Sequence, residues 1–498
     1  MIRVVHRLGI PRVVVLWLVL LLCLPTLLWA NDTVTIDRQI QPPHLDPTLT
    51  PSASVAEVTH MNVFQGLTRL TREAEVQPAL ATAWSVSDDG LTLTFNLRRG
   101  VVFHDGRPFN AEVAAFSLAR LVDPDSGNPQ RPLYSAIERI EVSAPFELRL
   151  HLTRPDALLP YRLAFSAAVI VHPDSVETNA TRPIGTGPYR VLPWEGGPVS
   201  LTAFEEYWGP TPAIRHAHFT FTANRIELEN SLSAGKVDVH ADASPLPSHL
   251  QLALHHDFSV LQGNGEGEVI LALNHAHPAL RDLRVRRALA HAIDRQALLS
   301  IYEQFTPQLI GSHFSPQHPA YVDLVDRYPY DPDRARALLR EAGAESLSLT
   351  LSLPPPIYAE RGGLHIASDL EAVGIAVQVE RLSWPDWLDR VFNRKLYDIT
   401  LISHVEPMDI DIYARDDYYF NYRSPEFQAL WRRIERTQDE PQRNSLLGDA
   451  QRLISDDAVN VFLYMKPQHS IHRTGLKGLW QNAPIPAVVL EEMYWASP

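Results

Sequence analysis

The sequence predicts a mixed α/β protein (α/β or α+β) built as two lobes. Stretches with the two-residue period of strands alternate with stretches of helical period along the whole chain of 498 residues. The chain is long enough for about three domains by length alone. It contains no internal repeat and no low-complexity linker.

The first thirty residues have the organisation of a secretory signal peptide. Three arginines in residues 1–12 precede an uncharged apolar run of 16 residues, which Pro25 interrupts, and a small residue follows at Ala30. A retained membrane anchor, the alternative, would normally have about 20 apolar residues without a proline. We therefore expect cleavage after Ala30 and a periplasmic protein.

Cysteine usage and charge narrow the function class. Cys23 is the only cysteine, and Leu22 before it is bulkier than the small residue normally found at a lipid-attachment site. Loss of residues 1–30 removes three arginines and no acids, which changes the net charge from −14 to −17. The mature chain therefore relies on core burial rather than disulfides, and its acidity argues against a nucleic-acid or anionic-membrane partner.

Local patterns predict the first elements. Apolar residues at every second position of LTLTFNLR, residues 91–98, indicate a strand with one exposed face. Asn110 can then cap a helix over 111–122, in which Glu112 is favourable in the first turn. Residues 146–152 predict another strand.

The second half of the chain reads in the same way. Over 331–343 we expect a helix with Asp331 as its cap, Pro332 at its first position and Gly343 as its stop. Further amphipathic helices are predicted within 282–302, up to Gly374 within 367–384, and over 424–437 and 441–458, with strands after Gly374 and over 459–465.

The stretch PIGTGPYRV, residues 183–191, has the glycines of a possible phosphate loop. Such a loop needs free backbone N–H groups at a helix N-terminus and usually a lysine. Here Pro188 lacks an N–H group, and no Gly-Lys-Ser follows. The next residues predict two strands joined at EGG, so a turn that starts a strand is favoured.

Six segments together resemble one protein family. They are PALATAWSVSDDGLTLTFNLRRGVVFHDGRPFNAEV, PIGTGPYRV, LRVRRALAHAIDR, YDPDRARALLREAG, DLEAVGIAVQVE and SPEFQALW. In order and spacing, from about residue 34 to about residue 470, this set is similar to the extracytoplasmic solute-binding proteins of family 5. That family comprises the dipeptide, oligopeptide and nickel binders of ABC importers.

The resemblance implies how the lobes and partners are arranged. Lobe I, the larger and with an extra subdomain, would comprise 31–270 and about 462–498, and lobe II would comprise 271–461. The chain would cross between them near 269–275 and 461–465, and hinge closure would bury the solute. We expect a monomer without cofactor or catalysis that delivers a peptide or peptide-like solute to a membrane permease.

The dipeptide branch of the family anchors the peptide's amino group in a segment that corresponds here to 400–420. Glu406 and Pro407 keep the end of that pattern, but Ser403 stands where the amine-binding aspartate would be and Thr400 where a tryptophan would be. The anchor is therefore not carried over. Nearby acids could replace it, because a buried cation needs a paired charge, or they could form a solvated surface.

The carboxylate anchor of that branch is also changed. Leu353 stands at the position of its arginine, and Arg361 is the nearest cation. Longer peptides or a non-peptide solute therefore remain open, and Trp384 and Trp387 could either wall the cavity or lie in the core. The candidate ligand-binding residues are Ser403, His404, Glu406, Asp409, Asp411, Tyr418, Tyr419, Trp384 and Arg361.

Two rival functions stay open from the residues. A metal or metal-chelate carrier is suggested by the 21 histidines, among them HAH at 216–218, HH at 255–256 and NHAH at 274–277. No mature cysteine and no His-Glu-x-x-His supports a metal site, so none is expected. A secreted enzyme is less favoured, since no Gly-x-Ser-x-Gly occurs.

Overall fold

The computed structural model describes residues 31–50, 52–126, 128, 130–222, 224–241, 257–302, 307–405 and 408–496. The predicted signal peptide lies outside these residues. None of the helices in the described ranges combines the length and apolar character that crossing a membrane requires.

The elements have the following bounds. The strands are β1 (Thr33–Arg38), β2 (Thr68–Leu70), β3 (Val76–Pro78), β4 (Ala81–Val86), β5 (Thr92–Leu97), β6 (Ile137–Ala144), β7 (Glu147–Leu152), β8 (Tyr189–Val191), β9 (Val199–Ala203), β10 (His216–Phe221), β11 (Val239–Ala241), β12 (Phe258–Leu273), β13 (Ser348–Leu353), β14 (Ala376–Arg381), β15 (Ile399–His404), β16 (Asn460–Arg473), β17 (Leu476–Lys477) and β18 (Tyr494–Trp495). The α-helices are α1 (Ala53–Thr59), α2 (Ala111–Val122), α3 (Leu159–Arg162), α4 (Arg225–Ser233), α5 (Leu283–Ala292), α6 (Arg295–Leu298), α7 (Pro332–Glu341), α8 (Ile357–Ala372), α9 (Trp384–Trp387), α10 (Pro425–Arg436) and α11 (Glu440–Asp456). A π-helical turn lies at Leu388–Asn393, and a 3₁₀ helix at Asp409–Ala414 follows β15.

One mixed sheet of ten strands connects the two lobes, in the order β14-β13-β15-β12-β16-β11-β1-β10-β9-β8. At its centre, β12 and β16 run antiparallel from Phe258 opposite Arg473 to Ala272 opposite Asn460, with a break in register between Asn264 and Glu268. On one side of the break the pair continues into β11 and β1, and on the other side into β15. The predicted mixed α/β fold with two lobes is confirmed.

We call the part built on β1 and β8–β11 lobe I, and the part built on β13–β15 lobe II. Lobe I also contains a separate four-stranded sheet in the order β4-β5-β7-β6. The α1 helix and the C-terminal strands β17 and β18 pack against β1 and β8–β11. In lobe II, α5, α7 and α8 pack against β13 and β15. The predicted crossing segment 461–465 lies within β16, and the segment 269–275 begins in β12 and ends two residues beyond it. The borders of the lobes stay a prediction.

Several local predictions are confirmed. The buried residues of β5 alternate as the pattern indicates, and the Asn110 side chain accepts hydrogen bonds from the backbone N–H groups of Glu112 and Val113. The Asp331 carboxylate caps α7 through the N–H group of Arg334, 2.9 Å away.

The predicted amphipathic stretch over 282–302 is not one continuous helix. It is divided after Ala292, because the Asp294 carboxylate accepts from the N–H group of Ala297 and starts a new turn. The Asp369 carboxylate of α8 binds the N–H group of Asp294 at 3.0 Å and holds this break in place.

The turn PIGTGPYRV packs against the backbone that follows α1. A Cβ atom on Gly185 would lie 1.9 Å from the carbonyl oxygen of Val63, and one on Gly187 would lie 2.4 Å from that of Asn62. The N–H group of Gly187 donates to Val63 and that of Tyr189 to Asn62, each at 2.9 Å. The glycines therefore allow close backbone approach at the start of β8, which pairs with β9 as predicted.

Replacing Gly185 by alanine should therefore destabilise the fold. We expect Gly185→Ala to lower the free energy of unfolding by about 1–3 kcal/mol, the usual cost of overpacking. The matched control is Gly265→Ala, because a Cβ atom there would meet only the side chain of Gln468, at 3.7 Å. Urea midpoints followed by circular dichroism test this, and equal midpoints for the two variants would contradict it.

Candidate functional site

Two cavities lie where the lobes meet. The first, which we call the hinge cavity, has a volume of about 130 Å³ and is lined by Glu57 of lobe I, Val405 of lobe II, and Gly265, Gly267 and Lys466 of the crossing strands. A cavity of this size holds about four water molecules at liquid density. It lies at the register break of β12 and β16, and both lobes contribute to its wall.

The hinge cavity combines bare backbone with two charged side chains. The glycines carry no side chain, and a Cβ atom on Gly267 would lie 3.0 Å from the Cβ atom of Lys466. The Glu57 carboxylate is held by Arg38, whose Nε donates to it at 2.9 Å. Lys466 is exposed on β16, so it supplies the ammonium group of this cavity.

The second cavity, which we call the outer cavity, has a volume of about 170 Å³. Trp84 and Tyr161 of lobe I line it, together with His318 and Met408 of lobe II. Burial lowers the pKa of His318 to about 4, so its ring is neutral at neutral pH. This ring stacks on Phe314 with centroids 4.3 Å apart. The wall of the outer cavity is mixed, because Glu440 and Arg443 line it together with the aromatic residues.

Of the predicted site residues, Ser403 lies nearest the hinge cavity. It stands opposite Val269 in β15, and its N–H group donates to the Tyr358 hydroxyl at 2.9 Å. Its Oγ atom would lie 3.1 Å from a Cβ atom on Gly267. Glu406 lies outside the described residues.

Three predicted residues lie in the interior of lobe II. His404 is buried, with Nδ1 3.3 Å from the Asp409 carboxylate and Nε2 3.0 Å from the Tyr419 hydroxyl. Asp409 is 8% exposed, and its other oxygen is 2.6 Å from Nε2 of His313. Burial alone would raise the pKa of Asp409, but the charges and hydrogen bonds of His313 and His404 hold it below its usual value.

The other predicted residues lie apart from one another. Asp411 is paired with Arg415, whose Nε is 3.1 Å from the carboxylate. Tyr418 is half-buried and meets Phe420 edge-on at 5.0 Å. Trp384 is 42% exposed and Arg361 is exposed. Trp387, by contrast, is buried and donates from Nε1 to Thr400 at 3.0 Å, so it belongs to the core.

An ion network joins the two lobes beside the outer cavity. Arg162 of α3 donates to Asp156 at 2.7 Å, and both side chains are buried. The N–H group of Ala157 donates to the carbonyl oxygen of Glu435 in α10 at 2.8 Å. Burial lowers the pKa of Arg162, but the nearby carboxylates Asp156, Asp411 and Glu435 outweigh it and raise the pKa.

Comparison with known proteins identifies the family. Residues 75–423 match the model of the bacterial extracellular solute-binding proteins, family 5 Middle. The chain belongs to this family. The predicted resemblance is therefore confirmed.

Three relatives illustrate the range of the similarity. The chain is 28% identical to di/tripeptide-binding protein 2 of Pseudomonas aeruginosa, over 85% of this chain and 88% of the relative. It is 26% identical to the glutathione-binding protein GsiB of Shigella dysenteriae, over 96% and 97%. The solved structure of DppA from Helicobacter pylori in complex with peptide STSA is 23% identical, with a TM-score of 0.76 over 94% of this chain and 99% of that chain.

The sequence analysis did not single out three residues that matter here. Arg38 holds Glu57 at the hinge cavity, Lys466 lines that cavity, and His313 contacts the buried Asp409. Lys466 had a visible signal, since it interrupts the apolar run of β16. His313 had none, because its carboxylate partner Asp409 lies 96 residues away along the chain.

The buried pair between Arg162 and Asp156 leads to a stability prediction. Asp156→Asn should lower the free energy of unfolding by about 3–5 kcal/mol, because it leaves the guanidinium buried without its partner. In the control, Asp105→Asn, the partner Arg107 stays partly exposed, and the cost should be about 0–1 kcal/mol. Urea denaturation of both variants measures the difference, and similar small losses would show that burial of Arg162 carries no special cost.

Proposed function

We propose that the protein is the extracytoplasmic solute-binding subunit of an ABC importer, which captures a peptide or peptide-like solute between its lobes and delivers it to a membrane permease. The observation that carries the proposal is the hinge cavity, to whose wall both lobes and both crossing strands contribute. A solute there contacts both lobes at once and so stabilises the closed arrangement. The printed names of the relatives, for a di/tripeptide, glutathione and a bound peptide, support the solute class.

A peptide suits the chemistry of the hinge cavity. At Gly265 the side chain of Gln468 lies 3.7 Å from the position of a Cβ atom, so an extended solute has room to approach the backbone there. Lys466 offers an ammonium group to a carboxylate, whereas the charge of Glu57 is already balanced by Arg38. We therefore place the carboxylate end of the solute at Lys466.

We propose that the amino end of the solute binds the segment that follows β15. Val405 lines the hinge cavity, and family position makes Glu406 the first candidate for the amino group. Asp409 and Asp411 are less suited to that role, because their carboxylates are bonded to histidines and to Arg415. Ser403, His404 and the aromatic residues would then position this segment.

The remaining assignments follow from the same role. We propose cleavage after Ala30, a monomer in the periplasm, and no catalysis. We also propose that lobe I comprises 31–270 and about 462–498, and lobe II 271–461. The register break of β12 and β16 supports a hinge close to these borders.

Calorimetry against a library of short peptides tests the proposal. A peptide held in a closed cleft should bind one to one, and at 100 times its Kd it should stabilise the fold by about 2.7 kcal/mol. If no peptide of the library gives saturable binding or a thermal shift, the peptide assignment is wrong.

The position of the carboxylate is tested separately. Lys466→Met should weaken binding of a free-acid peptide by about tenfold or more, because a hydrogen bond to a charged group contributes about 1.5–3 kcal/mol. The amidated form of the same peptide should bind parent and variant alike. Lys477→Met is the matched control, since this lysine is exposed on β17 away from the cavity. Equal losses for acid and amide would remove Lys466 from this role.

A further inference from the structure

A buried cluster beside β15 has the composition of a metal site. Glu268 of β12, His313 of the segment 307–324 and Asp409 of the 3₁₀ helix after β15 each offer one ligand atom, and these atoms lie within 4.8 Å of one another. The three residues are 2%, 0% and 8% exposed. They come from three separate parts of the chain, so an ion between them would join these parts.

The charges of the cluster favour a cation. Two carboxylates buried together are costly unless positive charge balances them. In the described part of the chain, the Asp409 carboxylate lies within hydrogen-bonding distance of two side chains, those of His313 and His404. A divalent ion between Glu268, His313 and Asp409 would add positive charge to this buried cluster.

A second layer of hydrogen bonds orients the histidine. Nδ1 of His313 is 3.2 Å from the Tyr413 hydroxyl, which in turn accepts from the Asn460 side chain at 3.1 Å. The hydroxyl can donate to Nδ1 or accept from it, so either tautomer of the ring is satisfied. When Nδ1 carries the proton, the lone pair of Nε2 is left for a metal, as is usual for a ligating histidine with an outer partner.

The ligand types select the kind of ion. One imidazole nitrogen and two carboxylate oxygens suit Zn²⁺ and related first-row divalent ions, whereas Ca²⁺ and Mg²⁺ prefer oxygen ligands alone. Zinc binds such atoms at about 2.0–2.2 Å. Two such atoms on a tetrahedral ion lie about 3.4 Å apart. The distance of 2.6 Å between Nε2 of His313 and the Asp409 carboxylate therefore needs to increase by about 0.8 Å to admit the ion.

We propose that Glu268, His313 and Asp409 form a Zn²⁺ site, with His404 beside it on the second oxygen of Asp409. This goes beyond solute capture, because Glu268, His313 and Asp409 are buried beside β15 and are not among the residues that line either cavity. Its position links it to the cleft: Val405 lines the hinge cavity and Met408 lines the outer cavity. A bound ion would therefore hold Asp409 next to Met408 of the outer cavity wall.

The test uses the mature chain stripped of metal with a chelator and then titrated with Zn²⁺ and Co²⁺. The parent should bind one ion per chain, with visible Co²⁺ absorption, and Glu268→Gln and His313→Gln should each bind at least tenfold more weakly. The control removes His216 and His218 of β10 together (His216→Ala/His218→Ala); there His218 is already bonded to Ser200 at 2.9 Å. This control should bind as the parent does.

The site is disproved if the parent binds no ion in a one-to-one, saturable way. It is equally disproved if the control loses binding while Glu268→Gln keeps it. Should His313→Gln fail to fold, X-ray absorption of the Zn²⁺-loaded parent decides. Imidazole nitrogen and oxygen ligands at about 2.0–2.2 Å support the site, and a coordination shell without imidazole rejects it.

Discussion

The pairing of β12 with β16 is the interaction on which the rest of the structure depends. These strands form the centre of the ten-stranded sheet, and they pass from one lobe into the other. Their register breaks between Asn264 and Glu268, where glycines alternate with polar residues. A strand pair of this kind transmits the position of one lobe to the other, while the break gives the pair a place to bend.

The same break places the functional groups. Gly265, Gly267 and Lys466 open into the hinge cavity. Glu268, the next residue of β12, is 2% exposed and lies in the buried cluster with His313 and Asp409. The change from a solvated to a buried environment therefore occurs within a few residues of one strand. The proposed hinge and the buried cluster are thus adjacent along β12.

Elements whose causes are local could be predicted from the sequence. The Asn110 cap acts on residues two and three positions away, and the Asp331 cap acts three positions away. The turn at 183–191 was predicted as a turn, but the reason for its glycines was not, because they meet Asn62 and Val63 on a distant part of the chain. Similarly, the break after Ala292 depends partly on Asp369, 75 residues from the N–H group it binds.

The candidate site was harder to predict for the same physical reason. The acidic stretch from Asp409 to Asp417 has one composition, yet its members lie in different environments: Asp409 is buried against histidines, Asp411 is paired with Arg415, and Asp416 and Asp417 are exposed. Spacing alone cannot distinguish these cases, because burial is decided by partners far along the chain. The two-lobe arrangement could be predicted from the family resemblance. The partners and burial of the individual carboxylates could be read only from the tertiary contacts.

Closure of the lobes around a solute is the central claim, and a distance between the lobes tests it directly. Cys23 is the only cysteine of the sequence. In a protein expressed from residue 31, Glu73→Cys in lobe I and Gln438→Cys in lobe II can therefore each carry a spin label on exposed positions beside the outer cavity. Double electron–electron resonance should show a long and broad distance distribution without solute. It should show a shorter and narrower one with a saturating peptide found by calorimetry. Identical distributions with and without that peptide would contradict the account.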